Sequence, residues 1–194
     1  MTAQTFHHRV TQSFTEDYFS RSKASANPMA MNVTREQFRE AMGSFATGVT
    51  VITVAEAGGE VHGMTANAFT SVSLEPLLVL VCVDHRAKTR AQLKEKKRFG
   101  INVLSAKQRA ISEFYARSTE AHQHAEAAGA RFDRTSHGTP VLQGALAFLE
   151  CRLQHEHEAG DHTIFLAEVE EVVIRDGEPL LYFRGRYRAV GEDL

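Results

Sequence analysis

Three short stretches hold the side chains best suited to chemistry. Gly160-Asp161-His162-Thr163 places a histidine on a turn between apolar segments. An imidazole on such a loop can hydrogen-bond a ligand or donate a proton near neutral pH, or it can simply close the turn through Asp161. Lys88 and Thr89 follow the loop Asp84-His85-Arg86-Ala87 and open a charged, helix-like run. A cation and a hydroxyl at a helix start suit a phosphate group, although an ordinary N-cap with solvated charges is the plainer local reading. The third stretch, 64–73, reads MTANAFTSVS. Its threonine, asparagine and serine groups, with alanines that expose backbone, suit a flat ligand with a polar edge. A fourth cluster, Arg184, Arg186 and Arg188 around Gly185 and Tyr187, can grip a phosphate or form a solvated C-terminal edge strand.

Other chemistries find little support. The pairs His122/His124 and His155/His157 have HxH spacing, but polar company surrounds both and no carboxylate-and-histidine spacing completes a ligand set, so no metal site is expected. GxGxxG, GxxxxGK[ST] and GxSxG are all absent, which removes Rossmann, Walker and nucleophile-elbow chemistry. Cys82 and Cys151 lie in apolar segments without CxxC spacing and read as buried free thiols. A formal charge of −2 provides no basic field for nucleic acid or anionic lipid. Apolar runs fall well short of the roughly 20 residues a membrane helix needs. The N-terminus lacks the apolar core of a secretory signal. These features point to a cytoplasmic protein.

The surrounding pattern must position those groups. With 194 residues, 43% hydrophobic and 24% charged, the chain suits one domain with appendages. Residues 1–30 are polar and uneven; they read as a loose extension, or as a helix docked through Phe14, Tyr18 and Phe19. Asn32 or Thr34 caps a helix that runs to Gly48, with Val33, Phe38, Ala41, Met42 and Phe45 along one side. Strands follow over 49–54, then 61–73 as one returning strand after the turn 57–60, then the apolar run 77–83 beyond a Leu-Glu-Pro turn. A charged helix over 88–97 precedes a strand over 99–104. Ser105 caps a helix with Ile111, Phe114 and Tyr115 facing inward. Residues 118–138 read as a surface excursion. Strands 145–157 and 163–174 flank the turn at Gly160, and 180–184 is the last strand after a hairpin-type turn at Asp176-Gly177. Six or seven short strands with two or three helices, and no recurring βαβ unit, indicate a mainly β barrel with peripheral helices.

Six segments taken together resemble the short-chain flavin reductases that serve two-component flavin-dependent monooxygenases. They are FREAMGSFATGVTVIT, HGMTANAFTSVSLEPLLVLVCVD, FGINVLS, GTPVLQGALAFLEC, GDHTIFLAEVE and PLLYFRGRY. The resemblance covers about 33–190 and implies a split β-barrel of Greek-key type, usually a homodimer, over 31–194. It implies that Thr65, Ala66, Asn67, Ala68, Phe69, Thr70 and Ser71 lie along the flavin. Cys82, Val83, Asp84, Lys88 and Thr89 would then hold the ribityl and phosphate end, with Phe99, Gly100 and Asn102 approaching from the neighbouring strand. Gly160, Asp161 and His162 would meet the dinucleotide, His162 being the candidate catalytic group, and Arg184 is a further candidate contact. Ala68 stands where serine is common in the family, which puts one hydrogen bond in question.

The implied activity is hydride transfer from NADH or NADPH to FMN or FAD, with reduced flavin diffusing to a separate monooxygenase. Such transfer needs stacked rings with water largely excluded, and it needs no acid–base dyad. A flavin that must leave is held at about micromolar strength, roughly 8 kcal/mol. Two alternatives stand beside this one: a reductase that keeps its flavin and serves a corrinoid or redox-protein acceptor, and a non-enzymatic flavin-binding barrel.

Overall fold

The structure is a computed structural model and describes residues 33–117, 125, 126 and 128–191. The expectations for residues 1–30, for His122 and His124 and for part of the 118–138 excursion fall outside those residues. Two units make up the chain, residues 1–39 and 40–194. The first contributes the start of helix α1, Arg35–Gly43. There Thr34 and Gln37 form a reciprocal cap: Thr34 Oγ1 accepts the Gln37 N–H at 3.2 Å and Gln37 Oε1 accepts the Thr34 N–H at 3.0 Å. The helix ends at Gly43 rather than Gly48, which lies in strand β1, Thr47–Gly48.

In the second unit the strands are β2 (Thr50–Ala55), β3 (Val61–Ala66), β4 (Phe69–Leu74), β5 (Leu77–Asp84), β6 (Arg98–Val103), β7 (Phe132–Arg134), β8 (Pro140–Leu142), β9 (Ala147–Ala159), β10 (His162–Ile174), β11 (Leu181–Phe183) and β12 (Arg186–Arg188). Helix α2 is Lys88–Lys96 and α3 is Arg109–Tyr115. Seven strands form one antiparallel sheet in the order β3-β2-β6-β9-β10-β5-β4. Its two outermost strands are consecutive in sequence and joined only by Asn67 and Ala68. Three Cα–Cα steps reach about 11 Å at most. The sheet must therefore roll until its edges nearly meet. Among the described residues no ladder joins β3 to β4, so the barrel is split there.

This corrects the single strand expected over 61–73. Its two halves belong to opposite edges of the sheet, because the Asn67-Ala68 connection turns the chain from one ladder to the other. The ribbons β7–β8 and β11–β12 were likewise not anticipated as paired strands, and the turn at Asp176-Gly177 leads from β10 into a different sheet rather than closing a hairpin.

Strand alternation decides what fills the barrel. On β2, Ile52 and Val54 enter one core with Val79, Val81, Val83, Phe99, Ile101 and Phe165. Val51 points the other way, into a second core with Leu104, Ile111, Tyr115 and Leu142. That double burial explains why β2 lacks a solvent face. Ser105 does cap the next segment, through a capping box with Gln108. Cys82 and Cys151 are both free thiols.

Candidate functional site

The pleat of the rolled sheet gathers three of the sequence-predicted segments at one end. Ala68 C=O accepts the Cys82 N–H at 3.0 Å, which brings the β3–β4 corner beside the end of β5. His162 opens β10 directly opposite Asp84. Asp161 C=O accepts the His85 N–H at 3.0 Å. The corner, the 82–89 loop and the β9–β10 tip therefore adjoin.

At the corner, Asn67, Ala68, Thr70 and Ser71 are exposed, while Ala66 and Phe69 pack their apolar sides on the barrel core. Thr65 is engaged by its hydroxyl donating to Ser112 C=O at 2.7 Å. Asn67 Nδ2 donates to Thr47 Oγ1 at 3.3 Å, linking the corner to the β1–β11–β12 ribbon.

In the 82–89 loop, Val83 is core, and burial pushes the half-buried Cys82 thiol up. Asp84 grips its own loop: Oδ1 accepts Arg86 N–H at 2.8 Å and Nε at 3.1 Å, and Oδ2 accepts Nη2 at 2.7 Å. The Arg86 side chain holds that carboxyl well below the usual range. Lys88 is half exposed, and its Nζ lies 3.0 Å from Glu56 Oε1. Thr89 is buried, with its hydroxyl 2.7 Å from Nε2 of the equally buried His62.

At the β9–β10 tip, Gly160 takes φ +64°, with nothing within 4 Å of where a Cβ would stand. His162 Nδ1 lies 2.7 Å from Asp161 Oδ1, and this bond lowers the Asp161 carboxyl. The turn contact expected through Asp161 forms at Nδ1, and Nε2 makes no hydrogen bond among the described residues. Behind the tip, Glu158 accepts from Arg90 Nη2 at 2.7 Å, Lys94 Nζ at 3.3 Å and Thr163 Oγ1 at 3.2 Å, with His85 Nε2 also at 2.7 Å.

Phe99, Gly100 and Asn102 lie on β6, between β2 and β9. Phe99 is wholly inside the barrel core. A Cβ on Gly100 would stand 2.6 Å from Phe148 and from Thr53 Oγ1. Asn102, 0% exposed, donates to Val51 C=O and Thr53 Oγ1 and accepts from the Leu142 N–H. The Phe99 and Asn102 side chains are spent on holding strands together, and Gly100 leaves room for Phe148 and Thr53. Arg184 adopts φ +48° on the separate ribbon, its guanidinium 5.3 Å over the Phe183 ring.

The sequence reading did not single out Glu56, His62, His85 or Glu158. Each acquires its place from a partner far along the chain, and no local motif marks such a residue. The donor set still fits a flavin: amide and hydroxyl groups with small side chains at the corner suit the ring edge and ribityl chain, and a half-exposed ammonium at a helix start suits a phosphate.

Comparison with known proteins agrees. A family model described as flavin reductase like domain matches residues 42–191. The NADH-dependent flavin reductase of Rhodococcus sp is 40% identical over 168 residues, 86% of this chain and 92% of that protein. The reductase component of 4-hydroxyphenylacetate 3-monooxygenase from Thermus thermophilus is 41% identical over 159 residues, 79% of this chain and 95% of that protein. The solved NADH:FAD oxidoreductase of Streptomyces globisporus, in complex with NAD and FAD fragments, superposes with TM-score 0.75 at 37% identity, covering 88% of this chain and 98% of that one.

Proposed function

The chain belongs to the flavin reductase-like domain family, and on that premise we propose how its corner, loop and hairpin tip divide the work of an NAD(P)H-dependent flavin reductase. It is an oxidoreductase with FMN or FAD as acceptor; its relatives are named for NADH, which we take as the donor here. When bound, the nicotinamide supplies a hydride and the flavin ring accepts it. The protein binds, orients and excludes water.

The observation that carries this reading is the meeting of three segments through Ala68–Cys82, Asp161–His85 and the His162–Asp84 register. Asn67, Ala68, Thr70 and Ser71 line the ring edge and ribityl chain. Lys88, at the start of α2, holds the phosphate end. Thr89 supports that end from beneath, since its buried hydroxyl is already bonded to His62. Phe99, Gly100 and Asn102 support the barrel wall behind the site. His162, steadied by Asp161, meets the dinucleotide. We assign no direct role to Arg184.

Relatives named as reductase components support a separate monooxygenase as the consumer of reduced flavin. We place residues 31–194 in the reductase domain and residues 1–30 in an extension to it. We also propose a homodimer; Val72, Leu74, Leu77, Val172 and Ile174 are exposed apolar side chains on the adjacent strands β4, β5 and β10. No helix among the described residues is long and apolar enough to cross a membrane. The two free thiols suit a reducing compartment, the cytoplasm.

The test is NADH oxidation in the presence of free FMN, FAD or riboflavin. Turnover rises with added flavin if the product diffuses; a rate indifferent to added flavin, with flavin retained through dialysis, favours a reductase that keeps its cofactor. His162→Ala should raise KM for NADH about tenfold, the size of one hydrogen bond to a polar or charged group, and leave FMN affinity unchanged. An equal loss of FMN affinity would move the hairpin tip into the flavin site.

A further inference from the structure

Glu56 sits where a bound phosphate would have a rival. It follows β2 and belongs to the β2–β3 turn, far in sequence from α2. Its Oε1 accepts from Lys88 Nζ at 3.0 Å and from Gln92 Nε2 at 3.0 Å. Lys88 and Gln92 are four residues apart and so share one face of α2. The Gln92 amide is a neutral donor, and with it the carboxylate has a holder that does not depend on Lys88. Only 20% of the Glu56 side chain is exposed, against 50% for Lys88. The carboxylate is therefore the more confined partner, and the lysine the one with room to swing.

We propose that Glu56 is an internal counter-anion that competes with the flavin phosphate for Lys88 and thereby sets how readily flavin leaves. The proposal rests on the reading that Lys88 is the phosphate seat. An arriving phosphate must share or take the ammonium from Glu56, and it also meets like charge across a few ångströms. On departure the ammonium returns to Glu56, so the cation is never left unpaired. Glu56 touches neither reacting ring; it positions Lys88. A reductase that hands its product to another protein gains from such a weakened anchor.

Glu56→Gln keeps the side-chain shape and removes the charge. Its FMN Kd should fall about fivefold, the upper size of a partly exposed ion pair, with FMN dissociation slowed to match. Riboflavin, which has no phosphate, should bind as before. Glu95→Gln makes the same charge change at the exposed far end of α2 and should leave FMN binding where it is. Lys88→Met should weaken FMN and spare riboflavin. Three results would overturn the proposal with the seat intact: no tightening of FMN in Glu56→Gln, equal tightening of riboflavin, or the same effect from Glu95→Gln. If Lys88→Met leaves FMN affinity unchanged, the seat itself is lost, and the proposal with it.

Discussion

Two glutamates on strand β9, Glu150 and Glu158, each gather several donors, yet they serve opposite ends of the molecule's economy of order. Glu150 is 0% exposed. It accepts from Thr135 Oγ1 at 2.8 Å and from Thr139 Oγ1, with His137 Nδ1 at 3.0 Å. Burial alone would push its carboxyl up; the hydrogen bonds from Thr139, Thr135 and His137 bring it below its ordinary value. Two hydroxyls and an imidazole thus clamp the β7–β8 turn to the barrel wall. Glu150 also has the Arg98 guanidinium at 3.6 Å. Glu158 is 54% exposed and meets more cations at shorter range: Arg90, Lys94 and, when protonated, His85. The Arg90 hydrogen bond, ahead of those from Lys94 and Thr163, takes its carboxyl down to about 2. A carboxylate wholly buried among hydroxyls is held in one arrangement and ties loop to wall. One that water and ligands reach can rearrange, and it lies beside the candidate site.

The largest effect expected is on the buried side of that comparison. Glu150→Ala should cost about 3 kcal/mol in denaturant unfolding, because the buried Thr139 hydroxyl loses its acceptor and a cavity opens. A loss below about 1 kcal/mol would mean that water satisfies the cluster and that the contrast is false. Gly100→Ala comes next, at about 2 kcal/mol, since the new methyl meets Phe148, Thr53 Oγ1 and the Pro140 carbonyl with little room to yield. If flavin affinity fell while stability held, Gly100 would belong to the ligand rather than the wall.

The smallest effect belongs to Glu158→Gln, which should lose the modest stability of an exposed ion-pair cluster at pH 7 and converge on the parent in acid. Its signature is in acid. A carboxyl whose folded pKa is depressed contributes stability above its unfolded value, near 4.3, and loses it as pH falls through the folded value. For Glu158 that window runs from about 4.3 down to about 2. Midpoints of unfolding measured from pH 6 to pH 2.5 should fall less steeply in Glu158→Gln than in the parent. Identical slopes would show that the exposed cluster adds nothing to folding.

Much of the fold was legible in local pattern. The Thr34 cap, the Ser105 capping box, the apolar strand at 77–83 and the turn at Gly160 all follow from short-range chemistry and appear as expected. The candidate site was legible in part. Asn67, Ala68, Lys88 and His162 came from residue type and family resemblance, and the structure brings their segments together. The same resemblance pointed to Phe99 and Asn102, whose side chains are engaged in the core, and to Gly100, which has none. Alternation shows that neighbours on a strand face opposite ways, but which face looks inward depends on the sheet around it.

By itself the sequence determined the main helices and the longer strands, the caps at Thr34 and Ser105, the turn at Gly160, the mainly β class and the family. Tertiary structure alone decided that residues 61–73 divide between the two edges of a rolled sheet. It also chose the partners: His62 for Thr89 across 27 positions, Gln92 for Glu56 across 36, and Arg90 for Glu158 across 68. The reason is register. Periodicity and capping act over a few residues, whereas these contacts exist only once strands are paired in one alignment, and a slip of one residue would turn every side chain to the other face.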